Sequence, residues 1–118
     1  MEEIKQPTSI LLSRKKLEWI AYNYELTSHA KERIKERADT TKTIKEQILN
    51  SPMAWLCGEN KYAIALNLYE LVIITTNDNV PYVKTFMNLR DCGDNVTDLA
   101  FKSYIKLYKG QLLKKEEN

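Results

Sequence analysis

Apolar and polar residues recur at helical spacing in the first part of the chain and again near its end, with a period of two between them. In the N-terminal region, residues 1–25, the spacing predicts a helix over residues 7–23 that opens at a Pro-Thr-Ser sequence. The apolar side of this helix is predicted to contain Ile10, Leu11, Leu17, Ile20 and Tyr24. The triplet Arg14-Lys15-Lys16 then falls in mid-helix, where it forms either a solvated face or a surface that tracks phosphates.

Two further helices are predicted before the strands. Thr27 or Ser28 can cap the second helix by accepting a hydrogen bond from its free N–H groups, which places His29 in the first turn. The third helix is predicted over residues 43–49 and opens with a capping box at Thr43. It ends at a Ser-Pro pair, because proline disfavours the helical conformation in the residue before it.

From residue 53 the apolar residues follow a period of two, which is typical of β-strands. Strands are predicted over residues 53–57, 61–68, 71–76 and 80–87. The third of them is apolar on both faces, so we expect it at the centre of the sheet. Turns are predicted at residues 58–60 and 77–79. Pro81 cannot donate to a β-ladder, which restricts it to the start of a strand or to an edge.

The end of the chain returns to helical spacing. Residues 90–95 are predicted as a polar loop, and Thr97 and Asp98 are predicted to cap a final helix over residues 97–112. Its apolar residues are Leu99, Phe101, Tyr104, Ile105 and Tyr108. N-terminal helices, an antiparallel meander of three or four strands and a C-terminal helix indicate an α+β fold with its helices gathered on one face of the sheet. With 118 residues, the chain is expected to form a single domain.

The charge balance excludes a general electrostatic footprint for nucleic acid or anionic lipid. Eighteen basic and sixteen acidic residues leave a net charge of +2, so any nucleic-acid site must be local. The sequence has no apolar run of membrane-spanning length and does not begin like a secretory signal, which predicts a cytoplasmic protein without a membrane partner. Cys57 and Cys92, with one histidine in the chain, indicate reduced thiols, and no metal or cofactor is predicted.

The single histidine and two arginines share one side of the second predicted helix. With about 100° between successive residues and His29 at 0°, Arg33 lies near ~40° and Arg37 near ~80°. The apolar stripe of this helix, at roughly 100° to 180°, is formed by Ala30, Ile34 and Ala38. The cationic arc therefore borders the stripe, and packing can hold these side chains while their polar ends face a cleft. Phosphate binding and proton transfer both require such an arrangement.

Part of the chain resembles a small domain of unknown function. The resemblance lies in the pattern Ser28-His29-Ala30-x-x-Arg33-x-x-x-Arg37, in the helix that ends at Ser51-Pro52 and in the strands after it. This domain occurs in bacteria and their mobile elements and is related to the assembly of barnase, colicin D and RelE-type ribonuclease toxins. The resemblance covers about residues 26–90. It implies an RNase-toxin-like scaffold, a polar site on the His-Ala-x-x-Arg helix and a threonine, Thr85, on the last strand.

On this resemblance, the predicted catalytic residues are His29, Arg33 and Thr85, and the predicted RNA-binding residues are Arg37, Tyr82 and Lys84. Metal-independent RNA cleavage needs a base for the 2′-hydroxyl, an acid for the 5′-oxygen and a cation near the phosphorane. Histidine can serve as base or acid, and arginine binds phosphate through two donors. One histidine fills only one proton-transfer role, so Glu32, Glu36 or Tyr82 has to supply the other.

The same residues also permit a structural interpretation. Arg33 can pair with Glu36, and Glu32 with Lys35, each pair contributing only ~0.2–0.5 kcal/mol on a solvated helix. The predicted function is RNA binding with metal-independent cleavage, as a toxin or phage-type effector. The alternative is a non-catalytic interaction module that binds a cognate antitoxin or a host protein. Convergence of the histidine, Arg33 and Thr85 in an accessible cleft favours the first, whereas a closed Arg33–Glu36 pair and a covered histidine favour the second.

Two predictions concern aromatic residues and assembly. Core packing is expected for most aromatic side chains, with base stacking on exposed rings as the alternative. These side chains are Tyr62, Tyr69, Tyr82, Phe86, Tyr104 and Tyr108. Trp19 and Trp55 are expected in the core, one in each layer. An edge strand at residues 53–57 is available for pairing between two chains, which predicts a homodimer as one state of assembly.

Overall fold

The computed structural model describes residues 12–36 and 43–116, with side chains described as far as residue 110. Helices lie at both ends of the described chain and a sheet lies between them. In chain order the elements are α1 (Arg14–Asn23), β1 (Glu25–Leu26), α2 (Ser28–Glu36), α3 (Ile44–Leu49), β2 (Ala54–Gly58), β3 (Lys61–Ala65), β4 (Glu70–Asn77), β5 (Val80–Asn88), a 3₁₀ turn (Leu89–Cys92) and α4 (Asp94–Glu116). The predicted α+β class is confirmed.

Within the described residues the sheet has five strands in the order β1-β5-β4-β3-β2. The pairs from β2 to β5 are antiparallel and form the predicted meander. The prediction of a purely antiparallel sheet is wrong, because β1 pairs in parallel with β5, with Glu25 opposite Tyr82 and Leu26 opposite Val83. A strand of two residues is too short to show a period, so its pairing depends on the tertiary fold. β2 lies at an edge of the sheet, as expected.

Residues that tolerate positive φ angles form the two hairpin turns. Asp78 and Asn79 between β4 and β5 have φ angles of 51° and 62°, the left-handed conformation required at both central positions of a type I′ turn. Asn60, between β2 and β3, has a φ of 52°. Asparagine and aspartate tolerate this region better than other residues with a Cβ atom. Both turns lie where the sequence predicts them.

Both faces of the sheet are covered, which corrects the prediction that all helices share one face. The helices α1, α2 and α3 pack on one face, against strand residues that include Ile64, Val72 and Val83. The helix α4 packs on the opposite face, against residues that include Trp55 and Ile73. Successive residues of a strand point to opposite faces, so a central strand that is apolar throughout needs a covering layer on each side.

Two helices begin elsewhere than predicted. Residues 12 and 13 are not helical, and Ser13 caps α1 by accepting a hydrogen bond from Lys16 N–H, so the basic triplet lies in the first turn and not in mid-helix. The predicted opening at residues 7–9 lies outside the described residues. The predicted loop at residues 90–95 instead contains the 3₁₀ turn and the start of α4.

Thr97 does not cap α4, because the helix already begins at Asp94. Its hydroxyl donates instead to backbone carbonyls, with Leu89 O at 3.0 Å and Gly93 O at 3.1 Å. α4 is held on the sheet by Tyr104, whose hydroxyl donates to Ala65 O at 2.8 Å. Burial raises the pKa of Tyr104 well above its ordinary value. None of the described helices is long and apolar enough to cross a membrane.

Ile34 is half-buried against the core under α2, whereas the sequence predicts full burial. We expect Ile34→Ala to lower the free energy of unfolding by about 1–2 kcal/mol, less than the ~2–5 kcal/mol typical of a fully buried isoleucine. The adjacent, exposed Lys35 is the matched control, and Lys35→Ala should change stability by less than about 0.5 kcal/mol. Urea unfolding measures both variants. Equal losses would mean that α2 is rotated about its axis.

Candidate functional site

The N-terminus of α2 is tied to β5 through Thr27. The Thr27 hydroxyl accepts a hydrogen bond from Ala30 N–H at 3.2 Å, which confirms this residue as the helix cap. The same hydroxyl lies 3.1 Å from Val83 O and 3.2 Å from Lys84 O, two carbonyls to which it can donate. Thr27 N–H donates to Val83 O at 3.2 Å. The first turn of α2 is therefore held at a fixed place beside β5.

A β-bulge interrupts β5 at this place. Val83 and Thr85 pair with consecutive residues of β4, Ile74 and Ile73, so Lys84 is the additional residue. Val83 and Phe86 both lie in the core under the helices although they are three positions apart. The bulge therefore shifts the alternation of side chains along β5. Bulges commonly redirect side chains next to functional sites in this way.

His29 and Thr85 meet at this junction although 56 positions separate them in the sequence, with His29 Nε2 3.1 Å from Thr85 Oγ1. The histidine is in the first turn of α2, one residue before the fully buried Ala30. Thr85 is half-buried and His29 is exposed. The imidazole is thus fixed at one nitrogen and remains open to solvent, unlike the covered histidine that a purely structural role predicts.

The Thr85 hydroxyl is compatible with either protonation state of the histidine. A hydroxyl group both donates and accepts, so it can donate to a neutral Nε2 or accept from a protonated one. In the second case its own hydrogen can be directed to Phe86 O, which lies 3.4 Å from Oγ1. The hydrogen bond can therefore form with either group as the donor.

Arg33 lies one turn beyond His29 on α2 and forms an ion pair with Glu36, with Nη1 3.3 Å from Oε2. Both side chains are exposed, at 46% and 65% of their maximal surface. Solvent screens a pair of this kind, which contributes at most ~0.5 kcal/mol on a helix surface. The structure therefore contains the Arg33–Glu36 pair that the structural interpretation predicts. The pair is weak enough for a phosphate to displace it.

The other predicted site residues are placed less closely. Lys84 is exposed at the bulge, beside Thr85. Tyr82 is half-buried and alternates with Val83, so it points to the sheet face opposite the one that α2 covers. Arg37 lies outside the described residues. Glu32 is exposed, three positions after His29 on the same side of α2.

The role of Thr27 as an anchor on β5 was not predicted from the sequence. The sequence identifies Thr27 as a possible helix cap, but a cap does not show which strand its hydroxyl reaches.

The basic triplet of α1 makes more contacts than a solvated face would, because Arg14 pairs with Glu18 and donates to Leu49 O. Lys16 Nζ lies 4.4 Å from the ring centre of Trp19 and 5.0 Å from that of Tyr62.

The aromatic residues divide between core and surface. Phe86 is buried, and Tyr62, Tyr82 and Tyr104 are half-buried. Tyr69 and Tyr108 are 72% and 64% exposed, so these two have the exposed rings of the alternative prediction.

Comparison of this chain with protein-family models, with curated proteins and with solved structures found no match.

Proposed function

We propose that this protein binds RNA and cleaves it without a metal ion, as a ribonuclease of the kind found in bacterial toxins and phage-type effectors. The observation that carries the proposal is the contact between His29 Nε2 and Thr85 Oγ1 at 3.1 Å on an exposed surface. A surface imidazole fixed by a hydroxyl from a distant strand is an arrangement suited to proton transfer.

In the proposed reaction the 2′-oxygen of a ribose attacks the adjacent phosphorus and the bond to the 5′-oxygen breaks. The products are a 2′,3′-cyclic phosphate and a free 5′-hydroxyl, and no other reactant is consumed. His29 takes the proton from the 2′-hydroxyl or gives one to the 5′-oxygen. Glu32, an exposed carboxyl group three positions away on the same side of α2, is suited to the other transfer. Thr85 acts as a positioning residue for the imidazole.

Arg33 supplies the cation for the phosphate in this proposal. Arg33 lies at roughly 40° from His29 around the helix axis, so both side chains start from the same side of α2. Charge-assisted bonds from arginine to phosphate are among the stronger hydrogen bonds in proteins, and the exposed pair with Glu36 is among the weaker ion pairs. RNA binding is therefore expected to move Arg33 from Glu36 to the phosphate.

Substitutions on the two sides of this ion pair should have opposite effects on RNA binding. Arg33→Ala is expected to weaken binding about 10- to 150-fold, the equivalent of ~1.5–3 kcal/mol for a lost charge-assisted bond. Glu36→Ala frees the arginine and is expected to strengthen binding about twofold. Fluorescence anisotropy with a labelled single-stranded RNA measures both affinities. Equal affinities for the wild type and both variants would show that the pair is structural only.

A direct test of cleavage uses purified protein, single-stranded RNA and EDTA. The expected result is cleaved RNA whose new 3′ ends carry a cyclic phosphate. RNA that stays intact while still binding the protein would exclude catalysis and retain the binding part of the proposal. An unaltered RNA that also does not bind would exclude both.

The Arg33–Glu36 pair favours a second candidate, a non-catalytic module that binds a cognate antitoxin or a host protein. On this alternative the histidine and Thr85 only fasten α2 to β5. Induced expression in bacteria separates the candidates, because a ribonuclease without its inhibitor stops growth. Normal growth at high expression of the wild type would favour the interaction module.

A further inference from the structure

Most of the large apolar side chains that are exposed in the described part of the chain belong to α4 or lie near it. Six of the eight large apolar side chains that are exposed in the described residues belong to α4 or to the connection between β3 and β4. They are Leu68, Tyr69, Leu99, Phe101, Ile105 and Tyr108. Concentrated apolar exposure of this kind marks an interaction surface more often than scattered single residues do.

Three of these residues form a regular stripe along α4. Phe101, Ile105 and Tyr108 are spaced by four and three positions, so they lie within roughly 60° of one another around the helix axis. They are 53%, 37% and 64% exposed. The side of α4 that packs on the sheet is a different one, formed by residues such as Val96 and Ala100. α4 therefore has a second apolar side, called here the outer stripe.

A row of lysines flanks the outer stripe on one side. Lys102, Lys106 and Lys109 are all exposed and lie roughly 80° to 140° around the axis from Phe101. Asp98, at roughly 60°, limits this basic row at the end nearer the start of α4. From Lys102 to Lys109 the helix thus presents apolar and basic rows side by side.

A groove borders the outer stripe on its other side. It has a volume of about 510 Å³ and lies between α3, the end of β3 and α4. Leu66, Leu68 and Leu107 are among the residues that line it, and Ile105 and Tyr108 belong both to this lining and to the stripe. The protruding side chains of a protein partner can enter this concave groove. A lipid surface would contact only a convex helix face, so the groove favours a protein partner.

We propose that the outer stripe and its groove bind an amphipathic helical segment of another protein, with apolar side chains at heptad spacing and carboxylates on one flank. The apolar side chains would contact Phe101, Ile105 and Tyr108 and enter the groove. The carboxylates would face the three lysines. A second copy of this chain fits less well, because it would bring three lysines of its own to the interface, with only Asp94 and Asp98 as acidic residues on that side of the described part of α4.

Two synthetic helical peptides with the same leucine stripe test the proposal, one with glutamate and one with lysine at the flanking positions. Fluorescence anisotropy with the full chain should show that the glutamate peptide binds at least about tenfold more tightly. Exchange of all three lysines for glutamate should reverse this preference. Ile105→Ser should weaken binding of the glutamate peptide, whereas Tyr22→Ser, at an exposed aromatic residue of α1, should not.

All the exchanged side chains are exposed, so each variant is expected to fold. Thermal melts verify that it does. Equal affinity for both peptides would contradict the proposal. Self-association in sedimentation experiments that Ile105→Ser abolishes would assign the stripe to a second copy. Binding to vesicles of phosphatidylglycerol and phosphatidylcholine, without binding to the glutamate peptide, would assign it to a membrane surface. None of these outcomes depends on RNA cleavage.

Discussion

His29→Ala is expected to reduce RNA cleavage by about 100- to 10,000-fold, the range that general acid–base groups typically contribute. The imidazole is the proposed proton carrier, and alanine cannot take up or release a proton. RNA binding should change far less, because the proposed phosphate contact belongs to Arg33. In bacteria, induction of the wild type should stop growth and the same induction of His29→Ala should not. Cleavage rates and growth curves measure the two effects.

One control and one further substitution show whether the effect is specific to the imidazole. Lys31→Ala removes an exposed cation from α2, on the side roughly 200° from His29, and should retain cleavage. Thr85→Val removes the hydroxyl with little change of shape and should slow cleavage about 2- to 12-fold, as expected for one lost hydrogen bond of ~0.5–1.5 kcal/mol. A His29→Ala variant that cleaves as fast as Lys31→Ala would exclude the histidine from the reaction.

The strands of the meander are predictable from the sequence because they depend on local signals. Period-two alternation places β2 to β5 within a few residues of the observed bounds, and the Asn-Asp-Asn sequence predicts the turn at Asp78 and Asn79. β1 is different. Glu25 and Leu26 have no strand signal of their own, and they are extended because Tyr82 and Val83 pair with them.

Helix starts were predictable only where the cap lies next to a clear helical pattern. The start of α2 is predicted to within one residue, at Thr27 or Ser28, and Thr43 is identified by its capping box. At α1 an earlier Pro-Thr-Ser sequence also predicts a helix start, but the hydroxyl of Ser13 is the one that accepts from Lys16 N–H. At α4 the hydroxyl of Thr97 resembles a cap in sequence, yet it is used for a carbonyl of the preceding 3₁₀ turn.

Three candidate residues, His29, Arg33 and Thr85, were predictable from the sequence, but the geometry that joins His29 to Thr85 was not. Helical spacing places His29 and Arg33 on one side of α2, and Thr85 followed from the family resemblance alone. The meeting of His29 and Thr85 depends on the Thr27 anchor and on the bulge at Lys84. Neither the anchor nor the bulge has a periodic pattern or a motif in the sequence, because both arise from the packing of α2 beside a particular stretch of β5.

Trp55→Ala is expected to lower the free energy of unfolding by about 3–5 kcal/mol, the range for buried tryptophan. Trp55 is completely buried between β2 and the layer under α4, whereas Trp19 is half-buried in the opposite layer, which confirms one tryptophan in each. Removal of the indole leaves a cavity that the sheet can fill only in part. Because a domain of this size is typically stable by ~5–15 kcal/mol, the loss is a large share of the total.

Urea unfolding followed by the fluorescence of the remaining Trp19 measures this loss, with circular dichroism to verify the starting fold. Leu56→Ala is the matched control, because Leu56 is the next residue of β2, points to the opposite face and is 36% exposed. Its effect should be less than half that of Trp55→Ala, since little apolar surface returns to water. Similar midpoint shifts for the two variants would mean that the layer under α4 is not a core. The outer stripe could then no longer be assigned to the surface of the protein. That assignment requires the opposite side of α4, with Val96 and Ala100, to be packed on the sheet.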